Sequence, residues 1–185
     1  MATPLSRFVV LLRGVNVGKG NKVPMADFRA SLEELGHTSV QTLLNSGNAV
    51  FASASRSPAR LAADIAAAVK ARFGVVTPVI VKSAAEFAAI AGNNPIAPPA
   101  SENSRFLVAF AMDPARIQEL GALRSLLHPG ERLAITEHAA YLHCAGGLLE
   151  SQAGSAILGW AGRGITTRNW GTTLKLASLL SGGAA

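Results

Sequence analysis

Three short stretches hold residue types that bind anions. The first is Arg13-Gly14-Val15-Asn16-Val17-Gly18-Lys19-Gly20-Asn21-Lys22, with three basic residues, two asparagines and three glycines. Glycines let backbone N–H groups approach an oxyanion, and the cations add charge. Pro24 marks a helix start just beyond the loop, and a helix N-terminus favours negative charge. Arg13, Asn16, Lys19, Asn21 and Lys22 are therefore candidate ligand-binding residues. The loop superficially suggests a P-loop, but the motif fails. Gly14 and Gly18 are one residue too close, Gly20 replaces the Ser or Thr required after Lys19, and no helix begins there. A phosphate contact of another kind competes with an ordinary surface loop.

The second stretch is Asn45-Ser46-Gly47-Asn48. Asn45, Ser46 and Asn48 offer a hydrogen-bonding rim, although these are also standard turn formers. The third is Thr166-Thr167-Arg168-Asn169-Trp170, running on to Lys175. Thr167 or Asn169 can cap a helix, and a cap beside Arg168 suits a carboxylate or phosphate. Spacing predicts Trp170, Thr173, Leu174 and Ala177 on a buried face, with Arg168, Thr172 and Lys175 near another. Thr167, Arg168, Asn169, Trp170 and Lys175 join the candidates. The competing reading is a capped helix anchored by its tryptophan.

Other chemistries find little support. His37, His128, His138 and His143 lack metal-ligand spacing, and Cys144 stands alone, so no metal site is expected. His138 and His143 read as a strand pair across a hairpin. No nucleophile elbow occurs, carboxylates are scattered, and no catalytic residue or cofactor is indicated.

The net charge of +6 implies attraction to phosphates, nucleic acid or an acidic partner. Aromatic residues make up only 5%, too few for the stacking face of an RNA-recognition module. The leading reading is a protein that binds or acts on a phosphorylated small molecule or nucleotide; nonspecific nucleic-acid binding is the alternative, favoured by the absence of acidic residues after Glu150. A structural or protein-interaction role is the third reading. No apolar run reaches the roughly 18 residues of a membrane span, so no membrane partner is expected. A single cysteine fits a reducing compartment, and a cytoplasmic location is expected.

The elements that must position these residues follow from periodicity and punctuation. Phe8 to Leu12 reads as a buried strand, and Met25, Phe28, Leu32 and Leu35 as one helix face stopped by Gly36. Pro24 is expected at the first helical position. Two strands flank Asn45–Asn48 as a hairpin. Ser57-Pro58 opens a second helix, and Val75 to Val81 reads as an edge strand because it contains Pro78. The order β-α-β-β-α-β is the split unit of the ferredoxin-like fold. In it we expect the first loop and the hairpin turn at opposite ends of the sheet.

Ser83 to Glu86 forms a capping box opening a connecting helix. The Gly, Asn, Pro and Ser-rich residues 92–104 read as a linker. Beyond it come a strand at Phe106 to Phe110, a helix capped by Asp113-Pro114, and a hairpin around Glu137-His138-Ala139. A helix from about Leu148 to Trp160, an extended piece at Ile165 and a last helix from Trp170 to Leu180 complete the order. The fold class expected is α+β, with two ferredoxin-like lobes in tandem and an added C-terminal helix. The N-terminal lobe with its connecting helix takes residues 1–91, and the C-terminal lobe takes 105–185.

Taken together, three motifs carry a resemblance. They are Leu11 to Gly18 with Asn21-Lys22-Val23-Pro24-Met25, then Leu44-Asn45-Ser46-Gly47-Asn48, and Thr166 to Trp170 with Leu174-Lys175-Leu176. The chain resembles the bacterial domain-of-unknown-function family 1697 over nearly its whole length. The resemblance implies a similar α+β layout and supplies no activity. Two departures stand out. Gly171 replaces a usual polar residue such as Asn, and Leu148-Leu149-Glu150-Ser151-Gln152 replaces a Tyr/Gly/Arg/Ser/Lys-like segment.

Overall fold

The computed structural model describes residues 4–182. It is an α+β fold with two four-stranded antiparallel sheets. The chain divides into two compact units. The first comprises the residues up to Phe87 together with those from Leu176 onward, and the second is Ala88–Lys175.

In the first unit the order is β1 (Ser6–Leu12), α1 (Met25–Glu34), β2 (Thr38–Leu43), β3 (Asn48–Ser53), α2 (Pro58–Phe73) and β4 (Val79–Ser83). The sheet order is β2-β3-β1-β4, every neighbour antiparallel. β1 and β3 are thus central, and β1 is buried from Phe8 to Leu12. β4 is an edge strand, but Pro78 lies before it rather than within it. Proline has no N–H to give a ladder, so the strand begins at the next residue, Val79. Pro24 likewise sits one position earlier than expected. Its ψ of 128° is extended, so it is the N-cap and Met25 opens the helix.

Local signals set the remaining helix starts. Ser57 accepts from Arg60 N, and Gly74 ends α2 in the left-handed region at φ 67°. Ser83 and Glu86 form the reciprocal capping box. Ser83 N donates to Glu86 Oε2 at 3.0 Å, and Glu86 N donates to Ser83 Oγ at 3.2 Å, opening α3 (Ala84–Gly92).

The second unit continues through a 3-10 helix, Ala100–Arg105, which begins inside the polar stretch 92–104 and runs one residue past it. Then come β5 (Phe106–Ala111), α4 (Pro114–Glu119), β6 (Arg132–Ile135), β7 (Ala140–His143), α5 (Gln152–Leu158) and β8 (Ile165–Asn169). The sheet order, β6-β7-β5-β8, repeats that of the first sheet. Leu107, Ala109, Leu142 and Ile165 form one apolar cluster with Ile117, Leu120 and Ile157. α5 is shorter than expected, because Ser151 caps it by accepting from Gly154 N at 2.9 Å. His138 lies in the hairpin turn. His143 stands opposite Arg132 and Phe106, so the two histidines are not cross-strand partners.

The last helix, α6 (Trp170–Leu180), follows β8 directly. Leu174 is exposed, contrary to the face expected, whereas Thr172 and Thr173 are buried. No described helix is long and apolar enough to cross a membrane.

His37, buried after α1, stacks on Phe51 with ring centroids 4.6 Å apart. Burial lowers its pKa below the ordinary value, with Asp64 opposing the shift more weakly. The unfolded chain then binds the proton more readily, so stability falls as pH drops below about 6.5 and levels off below the lowered value. Urea unfolding of wild type and His37→Phe at pH 7.5, 6.5 and 5.5 should show a steeper acid loss in wild type. Equal slopes would refute this account.

Candidate functional site

The register of the first sheet decides which candidates meet. β1 and β3 are antiparallel, and Leu11 pairs with Asn48. The end of β1 therefore meets the beginning of β3, and the two loops lie at the same end of the sheet. This corrects the expectation that they lie apart. Leu12 N donates to Gly47 O at 2.8 Å, and Arg13 N donates to Pro78 O at 3.2 Å. Thr77 Oγ1 also donates to Arg13 O. Segments 13–22, 44–47 and 74–78 thus gather around the exit of β1.

Asn16 holds this gathering together. Its Oδ1 accepts from Val23 N at 2.9 Å, and its Nδ2 donates to Val23 O and Asn45 O at 2.8 Å each. One side chain closes the loop on itself and ties it to the hairpin turn. Its φ of 58° is left-handed, which asparagine tolerates better than most residues. Asn21 Nδ2 donates to Gly14 O, and Lys22 Nζ to Gly18 O. Lys19 and Ser46 are exposed. Asn48 is fully buried, and its Nδ2 donates to Leu43 O at 3.0 Å.

Gly47 is the tight point. At φ 75°, a Cβ there would lie 2.7 Å from both Leu12 Cβ and Val15 Cγ2. In the sequence this glycine reads only as a turn former. Its close approach to β1 depends on a pairing that local pattern does not reveal.

The third stretch lies elsewhere, at the junction of β8 and α6 in the second unit. Val108 pairs with Arg168 and Phe110 with Thr166, so these side chains share one face, opposite the apolar cluster of Leu107, Ala109 and Ile165. Arg168 is buried, and its guanidinium donates to Thr166 Oγ1 and Thr167 O at 2.7 Å each. Burial lowers its pKa to about 10. Asn169 Oδ1 accepts from Thr172 N at 2.8 Å as the helix cap. Trp170 is buried against Phe106, ring centroids 5.8 Å apart, and Lys175 is exposed. A Cβ on Gly171 would meet Asn169 and Asn103 at ordinary contact distance, so a side chain can start there.

Two pairs of titratable side chains have no counterpart among the sequence candidates. Buried Lys82 lies 3.8 Å from Glu86, and burial lowers its pKa against the pull of that carboxylate. His143 Nε2 pairs with Glu102 across 41 positions of sequence. The Lys82 pair has the i, i+4 spacing and was visible in principle; the His143 pair carries no local signal. Cys144 is buried, and burial raises its thiol pKa, which makes it a poor nucleophile. Among the described residues, no group of three or more His, Cys, Asp or Glu could hold a metal ion.

The chain is similar to a conserved bacterial protein, SP0830 from Streptococcus pneumoniae, at 26% sequence identity. The TM-score is 0.77, over 96% of this chain and 99% of that one. No curated protein matches the chain. A family model described as a protein of unknown function, DUF1697, matches residues 5–141. That span contains the loop and turn motifs, and the Thr166 to Leu176 motif lies beyond it. On this match over most of its length, the chain belongs to the DUF1697 family.

Proposed function

We propose that the loop end of the first unit binds the phosphate of a small phosphorylated molecule or nucleotide. The observation that carries this reading is the backbone of the pinned loop. φ is positive at Gly14, Asn16 and Gly18 and negative at the residues between. Alternating sign turns N–H groups of the loop to one side, as in backbone anion nests, with Asn16 N itself already donating to Asn21 O at 3.0 Å. Arg13, Lys19 and Lys22 add charge, and the three gathered segments contain no carboxylate. Asn45 and Ser46 rim the site from the turn, while Asn16, Asn21 and Asn48 hold it in shape. Pinning by Asn16 lowers the ordering cost of binding.

In this reading Thr167, Arg168, Asn169 and Trp170 hold the β8–α6 junction: Arg168 donates to Thr166 and Thr167, Asn169 caps α6, and Trp170 packs against Phe106 of β5. Lys175 adds surface charge only. The repeated sheet order supports reading both units as ferredoxin-like. The single buried free thiol supports a cytoplasmic location.

Isothermal titration with nucleoside phosphates, sugar phosphates and inorganic phosphate tests the site. The double variant Lys19→Ala/Lys22→Ala should weaken the best of these at least tenfold. Equal affinity in wild type and variant, or no binding of any of them, would sink the proposal. Nonspecific nucleic-acid binding is the second reading, motivated by the net charge of +6. It predicts affinity for short RNA and DNA that falls steeply with salt and depends little on these two lysines.

A further inference from the structure

We propose that the ligand of this site is an amphiphilic phosphate monoester, with an aliphatic chain attached to the phosphate. The inference rests on the phosphate reading above and names the class of molecule that carries the phosphate.

The three segments gathered at the exit of β1 each expose a branched apolar side chain. Val17 is 71% exposed, Leu44 55% and Val76 78%. Singly exposed apolar residues are ordinary, whereas a cluster at one place marks an interaction surface. The clustering follows from bonds already described. Val17 adjoins Asn16 and Leu44 adjoins Asn45, whose contact is 2.8 Å. Val76 adjoins Thr77, which donates to Arg13. β3 and β4 flank β1, which puts the turn and the 74–78 segment about two strand spacings apart, roughly 10 Å.

Leu44 adds an independent sign. Its φ is 56°, a left-handed position that leucine adopts only at a cost in strain. Burial offsets this strain only in part, because Leu44 is more than half exposed. A strained, exposed leucine beside a cationic loop fits contact with something outside the chain.

The chemistry of the patch selects its occupant. Lys19 and Lys22 bring positive charge to segments that contain no carboxylate, so the charged end of the ligand is anionic. The segments contain no aromatic residue, so they offer no stacking platform for a nucleobase. Three aliphatic side chains suit an alkyl chain better than a polar sugar. A phosphate on an alkyl chain exists either as a soluble ester or as a phospholipid headgroup in a bilayer. The soluble ester is favoured, since the segments lack the Trp and Tyr that mark membrane interfaces.

Titration calorimetry with inorganic phosphate and with methyl, butyl and octyl phosphate, each below its micelle concentration, tests this. Octyl phosphate should bind at least tenfold more tightly than methyl phosphate. In the triple variant Val17→Ser/Leu44→Ser/Val76→Ser the ratio of those two affinities should fall to about one. Circular dichroism would confirm that the variant folds, and the single variant Leu44→Asn, which suits the left-handed turn, should lower the ratio without unfolding. Equal affinity across the ester series in wild type overturns the inference and leaves the phosphate reading standing. No binding of any ester overturns both. Sedimentation with phosphatidylcholine vesicles containing phosphatidic acid supplies the other arm. Vesicle binding without octyl phosphate binding overturns the soluble ester in favour of a bilayer.

Discussion

Gly47→Ala is expected to lower the melting temperature by about 10 °C. Two costs add. An alanine at φ 75° occupies the left-handed region, which costs about 1–2 kcal/mol. Its Cβ would also stand 2.7 Å from Leu12 Cβ and Val15 Cγ2. Both neighbours are buried, and Leu12 belongs to the central strand. Relieving such overpacking costs about 1–3 kcal/mol more. For a chain of this size each kcal/mol shifts the midpoint by about 2–4 °C. Gly14→Ala separates the two costs, because Gly14 has a similar φ of 60° but nothing within 4 Å of its Cβ. It should lose only about 3–5 °C, the conformational part alone. Equal losses at both positions in a thermal melt would mean that the approach of the turn to β1 does not matter.

Arg168→Ala is expected to be comparably damaging, by about 3–4 kcal/mol, while leaving phosphate binding unchanged. The guanidinium is buried and satisfies Thr166 Oγ1 and Thr167 O. Truncation removes both of those charge-assisted bonds, at about 1–3 kcal/mol each, and leaves the space of a long side chain unfilled. The lowered pKa of about 10 still keeps the group charged at neutral pH. Its burial is therefore a standing cost that apolar replacement removes. Arg168→Met should consequently recover part of the loss seen with alanine. Denaturant titration of the two variants measures the difference. Unchanged stability in Arg168→Ala, with loss of phosphate binding, would transfer Arg168 from the fold to the ligand site.

The parts of this fold legible in sequence were those with short-range causes. Ser57-Pro58, Asp113-Pro114 and the Ser83–Glu86 box marked helix starts through bonds spanning two or three residues. The apolar run in β1 and the turn at Asn45 to Asn48 gave the element order, and the order implied the sheet. What local pattern could not supply was register. The meeting of the first loop with the hairpin turn depends on Leu11 pairing with Asn48, a contact between distant positions. The same holds for the burial of Arg168. A Thr-Thr-Arg-Asn string reads as a polar cap, and only the alternation of β8 against β5 turns the arginine inward. Leu174 failed for the opposite reason: helical spacing placed it on the apolar face, but exposure depends on what lies beside the helix.

The first unit takes material from either side of the second in sequence, and this sets a clock on its biosynthesis. Arg7, in the central strand, donates through its guanidinium to Leu179 O at 2.8 Å, 172 positions later. At about 5–20 residues per second, a ribosome needs roughly ten to thirty seconds to bridge that gap. Throughout that interval the nascent β1 waits with its arginine still hydrated, while the whole second unit is synthesised. β1 is translated before the whole second unit yet completed after it, so a nascent chain stalled before α6 carries an unfinished first unit.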